Sequence, residues 1–256
     1  MTTSLNRIEW QVKEGHRLSA SSKKEPTHCA TVHGPMRKIL LGERVALNIL
    51  ARCSGIATKS QALVSTLRDD HGWQGTLAGT RKTTPGFRVV EKYGMLVGGA
   101  DPHRHDLSHM VMLKDNHVWA CANNQAADNK SAGAGKGDVE STAAAIPRAV
   151  AAAKAAGGFA TKVEVECQSV DEANAAIGAG AEVVMLDNFT ADGVRAAAKQ
   201  LKEEWNGKAR FLVEVSGGLT QDNAASFVCS HVDILSTSSI HQGVSTVDFS
   251  LKVSLR

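Results

Sequence analysis

The second half of the chain alternates short apolar strands with amphipathic helices, and this alternation constrains the fold more than any other feature. Strands are predicted at TKVEVEC (161–167), AEVVMLDNF (181–189), ARFLVEVSGG (209–218) and VDILSTSS (232–239). Strand–helix units that repeat in this way imply parallel strands joined by right-handed crossovers. The sequence therefore predicts an α/β fold built on a parallel sheet.

The connecting segments carry ordinary helix signals. The first helix, in SVDEANAAIGAG, has Ser169 or Asp171 as its cap, and a longer one runs from Thr190 to about Asn206, with Gly207 at its end. A short helix is predicted in TQDNAASFVCS. Upstream, GTLAGT and MVMLKDNH (110–117) predict two more strands, followed by a helix in the alanine-rich segment 141–157.

Two regions do not follow this pattern. Residues 123–138 are rich in glycine, asparagine and lysine and predict a loop. The GAGKGD in this region departs from a Walker A phosphate loop because Gly137 follows Lys136 where Ser or Thr is needed. RIEWQVKEGHRL and THCATVHGPMRKILL, in the first 50 residues, alternate apolar and polar positions without crossover helices. They predict an antiparallel or mixed sheet in a separate small domain, and residues 41–69 predict one or two helices.

Composition excludes several classes of protein. A net charge of +3 over 256 residues and 4% aromatic residues argue against a nucleic-acid surface. No stretch approaches the length of a membrane span, and the first residues lack the apolar core of a signal peptide. The five cysteines form no CxxC pair, which indicates reduced thiols in an intracellular protein.

Five cations lie close together between Gly79 and His117, and they are set on glycine- and proline-containing turns rather than along a helix. They are Arg81, Lys82, His103, Arg104 and Lys114. Cations arranged in this way favour a pocket for an anion that carries several negative groups. The sequence therefore predicts a polyanionic substrate.

Polar or small residues end each strand of the repeating half. These residues are Glu166, Asp187, the run Ser216-Gly217-Gly218, and Ser236. In parallel α/β proteins the carboxyl ends of the strands build the active site, although strand ends are also polar simply because loops are. The carboxylates suit a divalent metal, ribose hydroxyls or a carbon that develops positive charge. The serine-glycine run precedes a helix, where free N–H groups hold phosphate.

Two further features have competing interpretations. His103, His105 and His109 have a spacing that a transition metal could use, but Arg104 between them opposes a cation. Arg44, taken by its spacing alone, is more typical of a surface residue than of a site.

Seven motifs together resemble the quinolinate phosphoribosyltransferase family. They are GERVALN-ILARCSGIAT, GTRKTTPGFR-VVEKYG, GG-x3-HR, MVMLKDNH, KVEVEC, VVMLDN and VEVSGGLT, and the resemblance covers nearly all of residues 30 to 256, in order. The segment VEKYGMLVGG and the STSS ending resemble fungal members more closely than bacterial ones. Family members usually have several dozen more residues at the amino terminus, so the chain is expected to be shortened there.

The resemblance implies an incomplete, TIM-like α/β barrel (53–244) with a smaller α/β sandwich domain (1–52), which residues 245–256 would complete. It implies transfer of phosphoribosyl from phosphoribosyl pyrophosphate (PRPP) to quinolinate with loss of CO2, giving nicotinate mononucleotide and pyrophosphate for NAD biosynthesis. It also implies Mg2+ as cofactor, a cytoplasmic location with the nucleus as an alternative, and a homodimer or a larger assembly such as a hexamer.

The resemblance also implies roles for individual residues. The quinolinate carboxylates would be bound by Arg81, His103, Arg104 and Lys114, with Arg44 reaching the pocket of the neighbouring subunit. PRPP and its Mg2+ would lie near Lys82, Glu166 and Asp187. The PRPP phosphate would lie on Ser216, Gly217 and Gly218, and also near Ser238, where the family usually has glycine.

Two other functions stay open. One is a barrel aldolase that forms a Schiff base through Lys114 or Lys162. The other is a shortened family member that binds quinolinate or a partner subunit without turnover.

Overall fold

The computed structural model describes residues 7–18, 26–122 and 141–254. Strands β1 (Arg7–Trp10) and β2 (Ala30–His33) pair antiparallel, with Ile8 opposite Val32. Helix α1 (Met36–Ser65) follows and continues into a π-helical turn at Thr66–Asp70. The predicted loop at 123–138 lies outside the described residues.

The predicted alternation of the first 50 residues is confirmed in the two strands and wrong for the segment MRKILL, which is helical. Apolar residues in so short a run fit either period, so the pattern could not decide between strand and helix. The start of α1 is fixed by Pro35, whose carbonyl accepts hydrogen bonds from the N–H groups of Lys38 and Ile39 at 2.9 and 3.2 Å. Since α1 passes through positions 52 and 53 without a break, the boundary between the two domains stays a prediction.

A six-stranded parallel sheet forms the centre of the chain, in the order β3-β8-β7-β6-β5-β4. Its strands are β3 (Thr76–Ala78), β4 (Val111–Leu113), β5 (Val163–Cys167), β6 (Val183–Asp187), β7 (Leu212–Ser216) and β8 (Ile234–Ser236). Each predicted strand is confirmed, although each is shorter than its apolar run. The parallel pairing is confirmed throughout.

Four α-helices that are described in full lie between the strands of this sheet, and three of them begin at hydroxyl caps. They are α2 (Arg88–Val97), α3 (Thr142–Gly157), α4 (Val170–Gly178) and α5 (Ala191–Glu204), and residues 115–122 are also helical. Ser141, Ser169 and Thr190 accept hydrogen bonds from N–H groups three residues later. Ser169 therefore caps α4 and Asp171 does not. The short helix predicted after β7 is a 3-10 turn at Ala224–Phe227.

The two faces of the sheet differ in chemistry. Side chains on one face join the apolar core with α3, α4 and α5, and they include Val165, Leu186, Val213 and Leu235. Because successive strand residues point to opposite faces, the other face carries the alternate positions. That face holds Glu164, Glu166, Asp187, Glu214 and Ser216 among its residues. Every carboxylate of the inner strands β5, β6 and β7 therefore lies on one face of the sheet.

Helix α2 packs closely on α1 and brings charged residues into the interior. A Cβ at Gly94 would lie 2.8 Å from the Cys53 carbonyl oxygen, so only glycine permits this approach. The buried residues of α2 include Glu91 and Lys92. Within the described ranges, no helix combines the length and the apolar character that a membrane span needs.

Candidate active site

The carboxyl edge of the sheet brings together most of the predicted polar residues. Asp187 and Ser216 lie side by side in the register of β6 and β7, and Glu166 lies one strand away on β5. Lys114 follows β4 directly. The sheet topology therefore places the residues predicted for the two substrates along one edge.

An ion pair joins Lys114, predicted to bind quinolinate, to Glu166, predicted to lie near PRPP. The ammonium Nζ contacts Glu166 Oε1, and both side chains are partly exposed. The pairing uses Oε1 of Glu166 and keeps a positive charge at the end of β4. The two predicted subsites are therefore adjacent.

Asp187 sits in a cradle that requires unusual backbone conformations. Its Oδ2 accepts hydrogen bonds from the side-chain amides of Asn188, at 2.7 Å, and Gln168, at 3.3 Å. Asn188 has a φ of 60°, and its N–H donates to the Ser216 carbonyl at 3.1 Å. A side chain on Gly217, whose φ is 99°, would place a Cβ 2.4 Å from Asn188 Oδ1. Glycine is therefore required at the end of β7.

The run Ser216-Gly217-Gly218, which is predicted to hold a phosphate, agrees only in part with the prediction that a helix follows it. Gly217 and Gly218 both have positive φ, and the Gly218 carbonyl accepts a hydrogen bond from the Asn223 side chain at 3.0 Å. No α-helix starts directly after them, because the next helical element is the 3-10 turn at Ala224. Any anion held here would therefore bind the glycine N–H groups rather than the amino end of an α-helix.

Ser238 lies in the turn that follows β8, and β8 is the neighbour of β7 in the sheet. The Ser238 carbonyl accepts hydrogen bonds from the N–H groups of His241, at 3.0 Å, and Gln242, at 2.8 Å. The Gln242 side chain in turn donates to the Lys82 carbonyl at 2.8 Å, and Lys82 is exposed. The turn after β8 and the loop that carries Lys82 are thus joined.

Arg81 and Arg104 are cations with unused hydrogen-bonding capacity. The Nε atoms of both side chains are buried and have no hydrogen-bond partner. Arg104 is 8% exposed, and its other nitrogens donate to the Met110 carbonyl and to Met112 Sδ. Burial lowers the pKa of Arg104, and the charge of Arg81 lowers it further, whereas Glu164 raises it. A buried guanidinium with an unpaired N–H is a ready donor for an anion.

Both ring nitrogens of His103 have hydrogen-bond partners within the chain. Its Nδ1 accepts a hydrogen bond from the Arg104 N–H at 2.8 Å, so the proton of the neutral ring lies on Nε2. That nitrogen lies 3.2 Å from a Glu214 oxygen. His103 also has a φ of 55°, which is uncommon for a residue other than glycine. In this conformation the ring orients the following Arg104.

Glu164 and Glu214 are functional candidates that the sequence reasoning missed. Both are fully buried, and neither oxygen of Glu164 has a hydrogen-bond partner. Burial raises the pKa of Glu164 well above its usual range, and Glu214 adds to this effect. The signal was present in the alternation of VEVEC and LVEVS, because Glu164 shares a face with Glu166, and Glu214 with Ser216.

The histidine metal site considered from spacing is not formed. His109 Nδ1 accepts a hydrogen bond from the His105 N–H at 3.3 Å. In the described part of the chain, the one group with metal-ligand proximity combines His103 with Glu164 and Glu214. Because His103 Nδ1 already accepts a hydrogen bond, Nε2 is protonated and faces Glu214 as a donor, not a metal as a ligand.

Arg44 is exposed on α1. Among the described residues, no hydrogen bond or ion pair joins it to the other predicted site residues. The single chain therefore gives it no place in the site.

A cavity of about 1100 Å³ lies at the opposite, amino-terminal edge of the sheet. Residues that precede the strands line it, including Gly75, Lys162 and Asp233, and it reaches inward to His103 and Glu214. Of the predicted site residues, only His103 and Arg104 line this cavity. Active sites of parallel α/β proteins lie at the carboxyl ends of strands, so the carboxyl edge is the better candidate despite the size of this cavity.

Both parts of the chain match models of one family. Residues 56–252 match the C-terminal domain of quinolinate phosphoribosyl transferase, and residues 4–54 match its N-terminal domain. The chain belongs to the quinolinate phosphoribosyltransferase family. The family membership that the motifs implied is therefore confirmed.

Relatives and solved structures agree with this assignment. The human nicotinate-nucleotide pyrophosphorylase [carboxylating] is 45% identical over 252 residues, which cover 98% of this chain and 74% of the relative. The Dictyostelium discoideum protein of the same name is 40% identical, with coverage of 96% and 77%. The crystal structure of NadC from Streptococcus pyogenes matches with a TM-score of 0.74 at 32% identity, covering 96% of this chain and 75% of that one.

Proposed function

We propose that this protein is a carboxylating nicotinate-nucleotide pyrophosphorylase. It transfers phosphoribosyl from PRPP to quinolinate with loss of CO2, in the biosynthesis of NAD. The family match carries the proposal, and the site agrees with it. Two arginines whose buried Nε atoms are unpaired, Arg81 and Arg104, lie near the carboxylates that the second substrate needs.

Quinolinate binds where Arg81 and Arg104 converge, with Lys114 at the edge. Each arginine has a free buried N–H, which forms a strong charge-assisted bond with a carboxylate. His103 acts through Arg104, because both of its ring nitrogens are already hydrogen-bonded. Lys82 lies exposed on the loop beside Arg81, where an ammonium group stabilises the negative charge that develops during decarboxylation.

PRPP binds along the ends of β5, β6 and β7. Departure of pyrophosphate leaves a ribose with oxocarbenium character, which the Glu166 and Asp187 carboxylates stabilise by their charge. The phosphate lies on the N–H groups of Gly217 and Gly218, beside Ser216 and Ser238. Holding both anions in register accounts for a large part of the rate.

The residues at this edge fit Mg2+. Glu166 and Asp187 are carboxylates at neighbouring strand ends, and the contacts described above use only Oε1 of Glu166 and Oδ2 of Asp187. Oxygen ligands of this kind suit Mg2+, which usually also binds substrate phosphates. When bound, the ion would neutralise charge on the leaving pyrophosphate.

The sheet supports an open barrel for residues 53–244. Val183 and Met185 are 3% exposed on the face opposite α3, α4 and α5, and Glu164 and Glu214 on that face are fully buried. A sheet curved into an incomplete TIM-like barrel buries such residues without a second layer of helices. The N–H of Val247 donates to the Ala51 carbonyl at 3.2 Å, which supports a sandwich domain of residues 1–52 completed by 245–256.

A homodimer is supported by one face of α1. Leu41, Val45 and Ile49 recur every four residues and are exposed there, from 39% to 74%. Exposed apolar side chains grouped on one helix face are typical of a protein interface. Arg44 directly precedes Val45 and is also exposed, so it would reach a neighbouring subunit bound at this face. A hexamer, a cytoplasmic or nuclear location, the closer likeness to fungal members and the shortened amino terminus stay predictions.

Two assays test the function. Labelled CO2 should be released from ring-carboxyl-labelled quinolinate only when PRPP and Mg2+ are both present. Arg81→Met should abolish this release, while Arg195→Met, a change on the exposed surface of α5, should leave it unchanged. Release without PRPP, or none from folded protein, would contradict the proposal and favour a non-catalytic family member.

Calorimetry separates the substrate assignment from the reaction. Quinolinate should bind much more tightly than nicotinate, because its second carboxylate uses the second arginine. Equal affinities would show that Arg81 and Arg104 do not share a dicarboxylate. The aldolase alternative requires a neutral amine, and the ion pair of Lys114 with Glu166 opposes it. A borohydride-trapped adduct with a carbonyl substrate would nevertheless revive it.

A further inference from the structure

Lys92 is a buried cation that the proposed reaction does not use. It is 4% exposed on the inner face of α2. Burying an ammonium group is costly unless it is paired or hydrogen-bonded. Its surroundings therefore indicate what it does.

The ammonium joins the two loops that carry the quinolinate-binding cations. Its Nζ donates to the Thr80 carbonyl at 3.3 Å and to the Pro102 carbonyl. Thr80 directly precedes Arg81, and Pro102 directly precedes His103. One side chain thus holds both loops at the point where each enters the site.

Backbone pairing between these loops ends just before that point. The Gly79 N–H donates to the Asp101 carbonyl, and the Asp101 N–H donates to the Leu77 carbonyl, both at 2.8 Å. The residues that follow Gly79 and Asp101 are Thr80 and Pro102, and their carbonyls accept hydrogen bonds from Lys92 instead. Lys92 therefore extends the connection by one residue on each side, up to the positions of Arg81 and His103.

The charge of Lys92 also acts on the pocket. Burial lowers its pKa to about 8, and Arg88, Arg81 and Arg104 lower it further, whereas Asp101 raises it. The pKa of the buried His241 is lowered by its burial, and the positive charge of Lys92 also lowers it. Because Lys92 lies near these three guanidinium groups, its positive charge adds to the positive potential of the region where the anion is proposed to bind.

We infer that Lys92 is a positioning residue for quinolinate: it fixes the separation of the Arg81 and Arg104 loops and adds a buried positive charge without contacting the substrate. The inference rests on the proposed function. It assigns Lys92 to the quinolinate subsite alone, since its carbonyl partners belong to the two loops that lead to Arg81 and His103 and not to the ends of β6 and β7.

The test compares Lys92→Met, which has a similar length but no charge or donors, with Lys92→Arg, which retains both. In calorimetry, Lys92→Met should weaken quinolinate binding by about tenfold to hundredfold, because small misplacements of binding groups have effects of that size. The KM for PRPP should change less than about threefold. Lys92→Arg should recover most of the quinolinate affinity.

A matched control separates this effect from general destabilisation. Lys202 is also a partly buried bridging lysine, with bonds to the Phe211 carbonyl at 3.0 Å and to Asp233 at 2.8 Å. Lys202→Met should leave the quinolinate affinity unchanged. If Lys92→Met bound quinolinate as tightly as the natural chain, or weakened both substrates equally, the inference would be wrong. If the natural chain bound no quinolinate, the proposed function itself would fail.

The pH dependence provides a second readout. The affinity of the natural chain for quinolinate should fall between pH 7 and pH 9 as Lys92 loses its proton, because quinolinate itself does not titrate there. The affinity of Lys92→Arg should stay constant over that range, since arginine remains charged. Parallel profiles for the two proteins would overturn the electrostatic part of the inference.

Discussion

Arg104 should be needed for quinolinate binding and dispensable for folding. In the described structure its buried Nε has no partner, which costs about 1–3 kcal/mol in the absence of ligand. Arg104→Met removes this cost while keeping most of the buried volume. The change also removes the bond to the Met110 carbonyl at 3.3 Å, which contributes about 1 kcal/mol, and the attraction to Glu164.

The two effects on stability nearly cancel, so the melting temperature of Arg104→Met should lie within about 5 °C of the natural chain. A structural ion-pair partner would behave differently. Removing one member of a buried pair costs about 3–5 kcal/mol, which corresponds to a drop of about 10 °C in a protein of this size. Thermal unfolding without ligand therefore distinguishes a binding residue from a structural one.

The loss of binding should be large. Two charge-assisted bonds from the guanidinium group to a carboxylate contribute about 3 kcal/mol at the lower limit, or about a hundredfold in Kd. Quinolinate at a hundred times the Kd should stabilise the natural chain by about 2.7 kcal/mol, and it should stabilise Arg104→Met by well under 1 kcal/mol. The same thermal scans with and without quinolinate measure both quantities.

Two control variants sharpen the result. Arg104→Lys retains the charge but lacks the planar group, so it should fold normally and still bind at least about tenfold more weakly. Arg195→Met should behave like the natural chain. Binding by Arg104→Met within threefold of the natural chain, or a melting temperature lowered by 10 °C or more, would refute the reasoning.

Three further changes have expected outcomes. Glu91→Leu should lower the free energy of unfolding by about 3–5 kcal/mol in denaturant titrations, because it leaves the partners of a buried carboxylate unpaired. Burial would raise the pKa of Glu91, but bonds from Thr84 and Arg52 outweigh it and lower the pKa below 4.5, so this stabilisation should be lost only as the pH falls through that lower value. Glu214→Leu should raise the KM for quinolinate more than that for PRPP, and Glu214→Gln, which retains an acceptor for His103, should restore it. Gly217→Ala should raise the KM for PRPP and leave the calorimetric affinity for quinolinate unchanged, because its Cβ would clash with Asn188.

The sequence predicted the parallel strands and their helices, and it named candidate site residues at the strand ends. Short apolar runs marked β5, β6 and β7, and a cap at Ser169 or Asp171 marked the start of α4. These signals are local, so they survive without knowledge of the neighbours. The motifs around Arg81 and Lys114 were specific enough to name the family.

The sequence pattern gave a wrong prediction where a strand and a helix would show the same short run of apolar residues. The segment MRKILL fits a strand as well as a helix, and its contacts with the rest of the chain decide for α1. Glu164 and Glu214 were overlooked because the burial of a carboxylate in an apolar strand depends on what packs against that face of the sheet, which the local sequence does not show.

The amino-acid sequence by itself determined the α/β alternation, the cations between Gly79 and His117, and the family. Tertiary structure alone decided how those cations are used. It left the Nε atoms of Arg81 and Arg104 unpaired, turned His103 toward Glu214, and placed Lys92 beneath both loops. These arrangements join residues far apart in the chain, and no local propensity encodes a contact of that kind.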